Sequence, residues 1–472
     1  MTRILLLSGV AALALIGFTV NSNQAQTPSA QAQATFVETQ LELSNKDKDI
    51  LLSALEPSLF NQGDASADLR AFWTKAYIPP AIEMYNFIPD REVRRTIIDM
   101  LKTSTGQDYG DNMNDWFRWL WNEPELKIKG YADFKSEFYR EIDPKFGKYF
   151  FGRDDLSNIR LDEVRWGGVV QDGIPPLRQP DMISAKDADY LEDDNVVFGI
   201  EVNGDVRAYP KRILAWHEMF VDTVGGVDFA GVYCTLCGTV ILYETEAKGI
   251  PHEVGTSGFL YRSNKLMYDK ATQSLWNTLK GEPVIGPLIN KDIALDHRSV
   301  VTTTWGKWKE LHPETKVLSL KTGHRRNYDE GVAYHQYFAT DNLMFHTPFS
   351  DQRLKNKTEV LALRFKKHPQ EPVAISTDFL AKNPVYRGTV GSQKYVVLTD
   401  ETGANRVYDP KDVVLTQFDG AGKARDLNGD VWKVAESKLT APDGRELKRL
   451  PYHRAFWFGW HASYPNTRLI KE

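Results

Sequence analysis

Cys234 and Cys237 are the only cysteines among 472 residues, and they stand three apart in Tyr233-Cys-Thr-Leu-Cys-Gly-Thr239. A pair at this spacing can chelate a soft metal through two thiolates, exchange electrons as a dithiol, or close a small disulfide. A four-thiolate zinc site needs a second pair, and the sequence has none. Thioredoxin-like motifs open a helix in a βαβ unit, whereas Gly238-Thr239 here leads into a β-type run. In an exported protein, oxidation to a structural disulfide is the plain alternative.

Trp216-His217-Glu218, followed by Asp222, is the next candidate. Neutral imidazole suits copper or zinc and is also the general base that titrates nearest neutrality. Met267, beside Tyr268-Asp269, could add a thioether, the ligand type that selects Cu(I). The expected metal ligands are therefore Cys234, Cys237, His217 and Met267, with copper the expected ion. His252, His324, His335 and His346 are scattered and suggest no cluster. Ser257 lies in Gly255-Thr-Ser-Gly258, which is not the G-x-S-x-G nucleophile elbow.

The elements that would position these residues follow from periodicity. Val196 to Val202, Asn203-Gly204, then Val206 to Tyr209 reads as a hairpin with a type I′ turn. Val227 to Tyr233 and Thr239 to Tyr243 read as strands flanking the cysteines, and Arg212 to Phe220 as a short helix presenting Trp216 and His217. Residues 40–155 read as helical. Leu51, Leu52, Leu55 and Leu59 recur at helical spacing, as do Val93, Ile97, Ile98 and Leu101, with Pro79-Pro80, Ser104-Thr-Gly106 and Pro144 between runs. Helices joined by short turns suggest an armadillo- or HEAT-like arrangement, although no clean period is visible.

An internal repeat runs through the β-rich part. Ala208-Tyr-Pro-Lys-Arg-Ile-Leu214 answers Ala374-Ile-Ser-Thr-Asp-Phe-Leu380, and Thr223-Val-Gly225 answers Thr389-Val-Gly391, both at an offset of about 166 residues. Tyr268-Asp269 pairs with Tyr408-Asp409. Trp305-x2-Trp308-x4-Pro313-x-Thr315 recurs as Trp457-x2-Trp460-x4-Pro465-x-Thr467. The expected fold class is thus α+β: a helical domain over 40–155, a first β-rich copy over 159–320, a linker over 321–354 and a second copy over 355–472. The chemistry is not duplicated, because Asp400, Gly403 and Asn383 stand where the first copy has Cys234, Cys237 and His217. The second copy can offer walls to a pocket near Cys234 but no soft ligands.

Composition narrows the function. Charged residues at 26% and hydrophobic residues at 42% are globular values, and a net charge of -5 gives no nucleic-acid footprint. No nucleotide cofactor is expected. Arg3, an apolar run from Ile4 to Val20 and the A-x-A site Ala30-Gln-Ala32 read as a signal peptide with low-complexity sequence over 1–34, so a periplasmic or secreted location is expected. Membrane contact is expected only if that segment stays uncleaved, and a protein partner would dock on the helical domain.

Gly173-Ile-Pro-Pro-Leu177, Ala208-Tyr-Pro210, Trp216-His-Glu218, Asp222-Thr-Val-Gly-Gly226, Tyr233-Cys-Thr-Leu-Cys-Gly-Thr239, Gly255-Thr-Ser-Gly258, Met267-Tyr-Asp269 and Ser274-Leu-Trp276 together resemble the domain of unknown function 3179 family. The likeness runs in order from Ile159 to Phe456-Trp-Phe-Gly-Trp460 and leaves the helical part uncovered. It implies no settled activity. Where that family typically has Pro between the cysteines, this chain has Thr235. Three readings stay open: a copper or other soft-metal protein, a thiol-dependent enzyme or redox protein, and a binding or scaffold module with a structural disulfide.

Overall fold

The structure, a computed structural model, describes residues 40–56 and 64–472. The signal-peptide reading over 1–34 and the expected helical position Leu59 lie outside the described residues.

Between Asn45 and Phe150 the described residues form seven α-helices. The longest, Arg91–Thr105, starts where Asp90 accepts the N–H groups of Glu92 and Val93, and ends at Gly106, whose positive φ closes the last turn. Its buried face is Val93, Ile97, Ile98 and Leu101, the spacing that the sequence shows. Pro79 and Pro80 occupy the first turn of the helix Ile78–Met84, where missing N–H donors cost nothing.

These helices do not enclose a core of their own. Trp116, Leu120, Phe134, Phe138 and Tyr149 pack in one apolar cluster with Phe259, Tyr261, Leu266 and Tyr268 from a five-stranded sheet. That sheet contains the hairpin Val254–Tyr261 and Asn264–Asp269, so the helical part buttresses strands that carry site residues. A buried ion pair fixes the contact. Lys135 binds the Glu83 carboxylate and donates to the carbonyl of Val164, on the sheet's edge strand (2.9 Å), while Tyr131 and Tyr139 also donate to Glu83. An ammonium held away from water is tolerable only with such full pairing.

The β-rich part contains two sheets of the same plan. In the first, the order is Val301–Thr304, Val196–Val202, Asp205–Pro210 and Lys316–Leu318, paired antiparallel, antiparallel and parallel, with Met182–Ser184 added antiparallel as a fifth strand. In the second it is His453–Phe456, Glu359–Leu363, Val373–Ser376 and Arg468–Ile470, paired in the same senses. Asn203 and Gly204 both have positive φ, as a type I′ hairpin requires. Each sheet is followed by a short helix and an antiparallel hairpin: Lys211–His217 then Val227–Cys234 with Thr239–Glu244, and Thr377–Lys382 then Gln393–Thr399 with Asn405–Tyr408. The repeated Trp/Thr spacing also has a structural counterpart. Trp308 Nε1 donates to Thr315 Oγ1 (3.0 Å) and Trp460 Nε1 to Thr467 Oγ1 (2.9 Å), and each threonine donates to a carbonyl at the start of a strand in its own sheet.

The segment expected as a linker, 321–354, is a strap fastened to the helix Lys211–His217 and the cysteine hairpin. Trp216 Nε1 donates to Asn327 O (2.7 Å), Tyr328 reaches His217, and Tyr337 Oη donates to Leu236 O (2.8 Å).

The Glu83–Lys135 contact predicts an asymmetry. Glu83→Ala leaves a buried ammonium unpaired and should cost about 3–5 kcal/mol in denaturant unfolding, whereas Glu83→Gln with Lys135→Met should recover most of the loss. A single variant within about 1 kcal/mol of the parent would show that the pair does not fix the helices to the sheet.

Candidate functional site

Two hairpin tips meet at the cysteines. The first joins Val227–Cys234 to Thr239–Glu244, with Cys234 opposite Thr239. Cys237 N–H donates to Cys234 O (3.1 Å), Gly238 adopts φ +57°, and the two cysteines are joined as a disulfide with Cα atoms 5.3 Å apart. Glycine is required at 238 because a Cβ there would come within 2.7 Å of the Phe456 ring. The second tip joins Val254–Tyr261 to Asn264–Asp269 through Arg262 and Ser263, which have φ of 50° and 64°. Two successive non-glycine residues in the left-handed region carry a steric cost of about 1–3 kcal/mol each. Arg262 offsets it by pairing with Glu163 and donating to Ala462 O (3.1 Å). The turn brings Ser263 O to 3.3 Å from Cys237 Sγ.

A third element enters from the helix Lys211–His217, which ends at Glu218 with φ +54°. The Glu218 carbonyl accepts the Tyr233 N–H (2.9 Å) and Lys265 Nζ (2.8 Å). Lys265 Nζ also lies 3.3 Å from the Glu218 carboxylate and 3.5 Å from the carbonyl of Tyr233, the residue before Cys234. Tyr334 of the strap donates to the other Glu218 oxygen (3.4 Å). Burial lowers the pKa of Lys265, and the Glu218 charge opposes that shift. Sequence reasoning quoted Glu218 within a motif and overlooked Lys265. The available signal was strand alternation: Lys265 shares the inward face of Met267, and a lysine on a buried face needs a partner.

The pair is closed on all sides. Cys234 is 3% exposed and Cys237 is fully buried, in a cluster with Leu236, Leu260 and Tyr337 packed against Tyr334, Phe338 and Phe345. From the second half, Phe456 N–H donates to Cys237 O (2.7 Å), and Gly459 approaches Cys237 so closely that a Cβ there would lie 3.2 Å from the cysteine's Cβ. The void beside Ser263 and Phe345 holds about 10 Å³, no more than a single water needs.

The four residues expected as metal ligands are not brought together. His217 Nδ1 lies 2.9 Å from Pro175 O and Nε2 lies 2.6 Å from Tyr328 Oη, so both ring nitrogens are committed within the fold. Burial, with the neighbouring charges of His324 and Arg326, lowers its pKa to about 4. It is therefore neutral, donating to Pro175 and accepting from Tyr328. Met267 packs against Met219, Ile241 and Trp276, in an apolar cluster separate from that of the cysteines. The reason in both cases is satisfaction elsewhere: one side chain has its hydrogen bonds and the other its core. Among the described residues no group of three or more His, Cys, Asp or Glu is arranged to hold a metal ion. Ser257 is also spent, donating to Leu266 O (2.7 Å).

The corresponding turn of the second half is built without sulfur. Asp400 Oδ1 accepts the N–H groups of Thr402 and Ala404 (both 3.0 Å) and the Thr402 hydroxyl (2.6 Å), while Arg406 pairs with its other oxygen. Asn383, at the position of His217, caps its own helix by donating to Phe379 O (2.9 Å).

A family model described as "Protein of unknown function (DUF3179)" matches residues 171–467, which include both hairpin tips, the strap and the second half up to Thr467. No curated protein and no solved structure matches the chain.

The two hydrogen bonds of His217 predict its titration. Its folded pKa lies below the unfolded value near 6.5, so the contribution of its neutral form to stability is present above that value and declines as pH falls towards 4. Histidine NMR should show the His217 ring neutral at pH 5.5. Half-protonation near pH 6.5 would contradict the buried Pro175–His217–Tyr328 arrangement.

Proposed function

The chain belongs to the family described as Protein of unknown function (DUF3179), and from its geometry we propose that it acts as a thiol–disulfide protein through Cys234 and Cys237. The observation that carries this reading is the second-half turn that Asp400 closes without sulfur. The hairpin at that place in the second half, with five residues between its paired ends rather than four, closes without a disulfide. Closing a loop of four residues also removes little unfolded-chain entropy, about 2 kcal/mol, and here the strands already hold the ends. The cysteines sit instead where the fold spends a buried Lys265–Glu218 pair and several strained residues, the kind of expenditure that clusters at functional sites.

In the proposed step a thiolate of a dithiol-bearing partner attacks the sulfur of Cys234, the less buried residue, forming a mixed disulfide and releasing Cys237 as a thiolate that takes up a proton. The partner's second thiol then displaces Cys234. The sum is one partner disulfide formed, two thiols made here, and two electrons and two protons received; run backwards, the protein oxidises a partner. Lys265, as ammonium, favours a nearby thiolate. The strap that carries Tyr334 and Tyr337 serves as the cover.

Copper enters this reading only through the reduced pair, since two thiolates suit Cu(I) while His217 and Met267 are engaged elsewhere. An exported location, supported by the N-terminal apolar run and its A-x-A site, would supply oxidising conditions. The two sheets are read as duplicated copies, supported by their shared strand order and the matched Trp–Thr bonds. The helical part, rather than an armadillo- or HEAT-like docking array, is read as the support of the Lys265 hairpin.

Equilibration with glutathione buffers followed by thiol counting tests the proposal. The pair should interconvert at a potential above about -250 mV, and the Cys234→Ser/Cys237→Ser protein should remain folded. A potential below about -300 mV, or a double variant that fails to fold, would mark the bond as structural.

A further inference from the structure

The two sulfurs of the disulfide have unequal surroundings, and the difference is oxygen. Cys237 is fully buried, and its Sγ lies 3.3 Å from Ser263 O at the tip of the neighbouring hairpin. Among the described residues no hydrogen bond reaches Cys234 Sγ.

Asn264, the residue after Ser263, brings a second oxygen to the same place. It is buried, and its Nδ2 donates to Arg262 O (3.2 Å), Gly459 O (3.1 Å) and Ser463 Oγ (3.4 Å). Those acceptors fix the orientation of the amide, since the opposite flip would set its oxygen against two carbonyls. Asn264 Oδ1 is then shut from solvent with no donor. It lies beside the cysteine: the point that a Cβ on Gly459 would occupy is 3.2 Å from Cys237 Cβ and 3.3 Å from Asn264 Oδ1.

Within the disulfide, Cys237 has no proton to offer these oxygens. Reduction supplies one, because the departing sulfur takes up a proton and a thiol donates where a disulfide sulfur cannot. Sγ is one bond from Cβ, so rotation about that bond moves it between Ser263 O and Asn264 Oδ1. Acceptors favour the protonated form of the group that donates to them, and a thiolate at this place would face oxygen lone pairs instead.

The charged groups around the pair do not offset this. Lys265, with Glu218, stands 3.5 Å from the carbonyl of Tyr233, the residue before Cys234. Arg262 is spent on Glu163. From the strap come the hydroxyls of Tyr334 and Tyr337, kept protonated by burial, and His346 beside Ser263, whose pKa is lowered by burial and then by Arg118 and Arg165. In the second half, His461 is turned to Asp351 (3.3 Å).

We propose that in the reduced protein Cys237 is the thiol that keeps its proton, held by Ser263 O and Asn264 Oδ1, and that Cys234 is the thiolate that reacts. This rests on the thiol–disulfide reading above and adds Asn264 to it as a positioning residue, acting on the exchange through Cys237.

The test is alkylation of the full chain, reduced with dithiothreitol and freed of it, as a function of pH, each cysteine followed separately by peptide mass spectrometry. Access scales a rate, whereas protonation sets the pH at which the rate rises. The midpoint of Cys237 should lie at least about one pH unit above that of Cys234, and Asn264→Ala should narrow the gap by at least about half a unit. The infrared S–H stretch of the reduced wild type at neutral pH should sit at the lowered wavenumber of a hydrogen-bonded thiol, and Asn264→Ala should move it towards the free-thiol position. If Asn264→Ala does not fold, the wild-type midpoints and S–H band still decide. A Cys237 midpoint at or below that of Cys234, or a free-thiol band in the wild type, would overturn the assignment and leave the exchange reading standing. An unchanged gap in a folded Asn264→Ala would overturn the part given to Asn264. The exchange reading fails separately, and this inference with it, if dithiothreitol opens the bond only in unfolded protein.

Discussion

The ammonium of Lys265 is held out of water against Glu218, and the centre of the molecule is arranged around that fact. Taking such a charge from solvent costs several kcal/mol unless every donor finds an acceptor. Here the acceptors come from different parts of the chain: the carboxylate and carbonyl of Glu218 at the end of one helix, and the carbonyl of Tyr233 on the cysteine strand. Tyr334 of the strap completes the carboxylate. The contact therefore ties the two hairpin tips to Glu218, the left-handed cap of the helix Lys211–His217, and gives the strap a polar anchor beside the cysteines. Separating any of these elements would leave a buried charge or carbonyl unpaired.

The second half carries a similar strand plan without cysteine. Its sheet has the same order, its Trp460–Thr467 bond repeats Trp308–Thr315, and its turn is closed by ordinary hydrogen bonds to Asp400. It also supplies Phe456 and Gly459 as walls of the first-half site. The two hairpins close by different means, the first with four residues between its paired ends and a disulfide, the second with five residues gathered on Asp400.

Much of the framework was legible in the sequence because it rests on local rules. Asn203-Gly204 specifies its turn through positive φ, alternation marks the strands around the cysteines, and the spacing of Val93 to Leu101 marks a helix face. The Trp/Thr repeat was visible because one hydrogen bond fixes both residues and their separation. The site itself was less legible, because it forms from contacts between distant segments. His217 lies seventeen residues before Cys234, yet its ring is turned to Pro175 and Tyr328, the latter in a segment whose composition suggested only a linker. Lys265 was hidden for a related reason: periodicity shows that it points inward, while its partner Glu218 is assigned only by tertiary packing.

The most direct measurement is the thiol pKa of the reduced protein, followed by thiolate absorbance, in the parent and in Lys265→Met. If the Lys265–Glu218 pair conditions the cysteines, the more acidic thiol should titrate at least about one pH unit lower in the parent than in the variant. Indistinguishable titrations in two folded proteins would contradict the account, leaving the buried pair a structural knot with no hold on the sulfur chemistry.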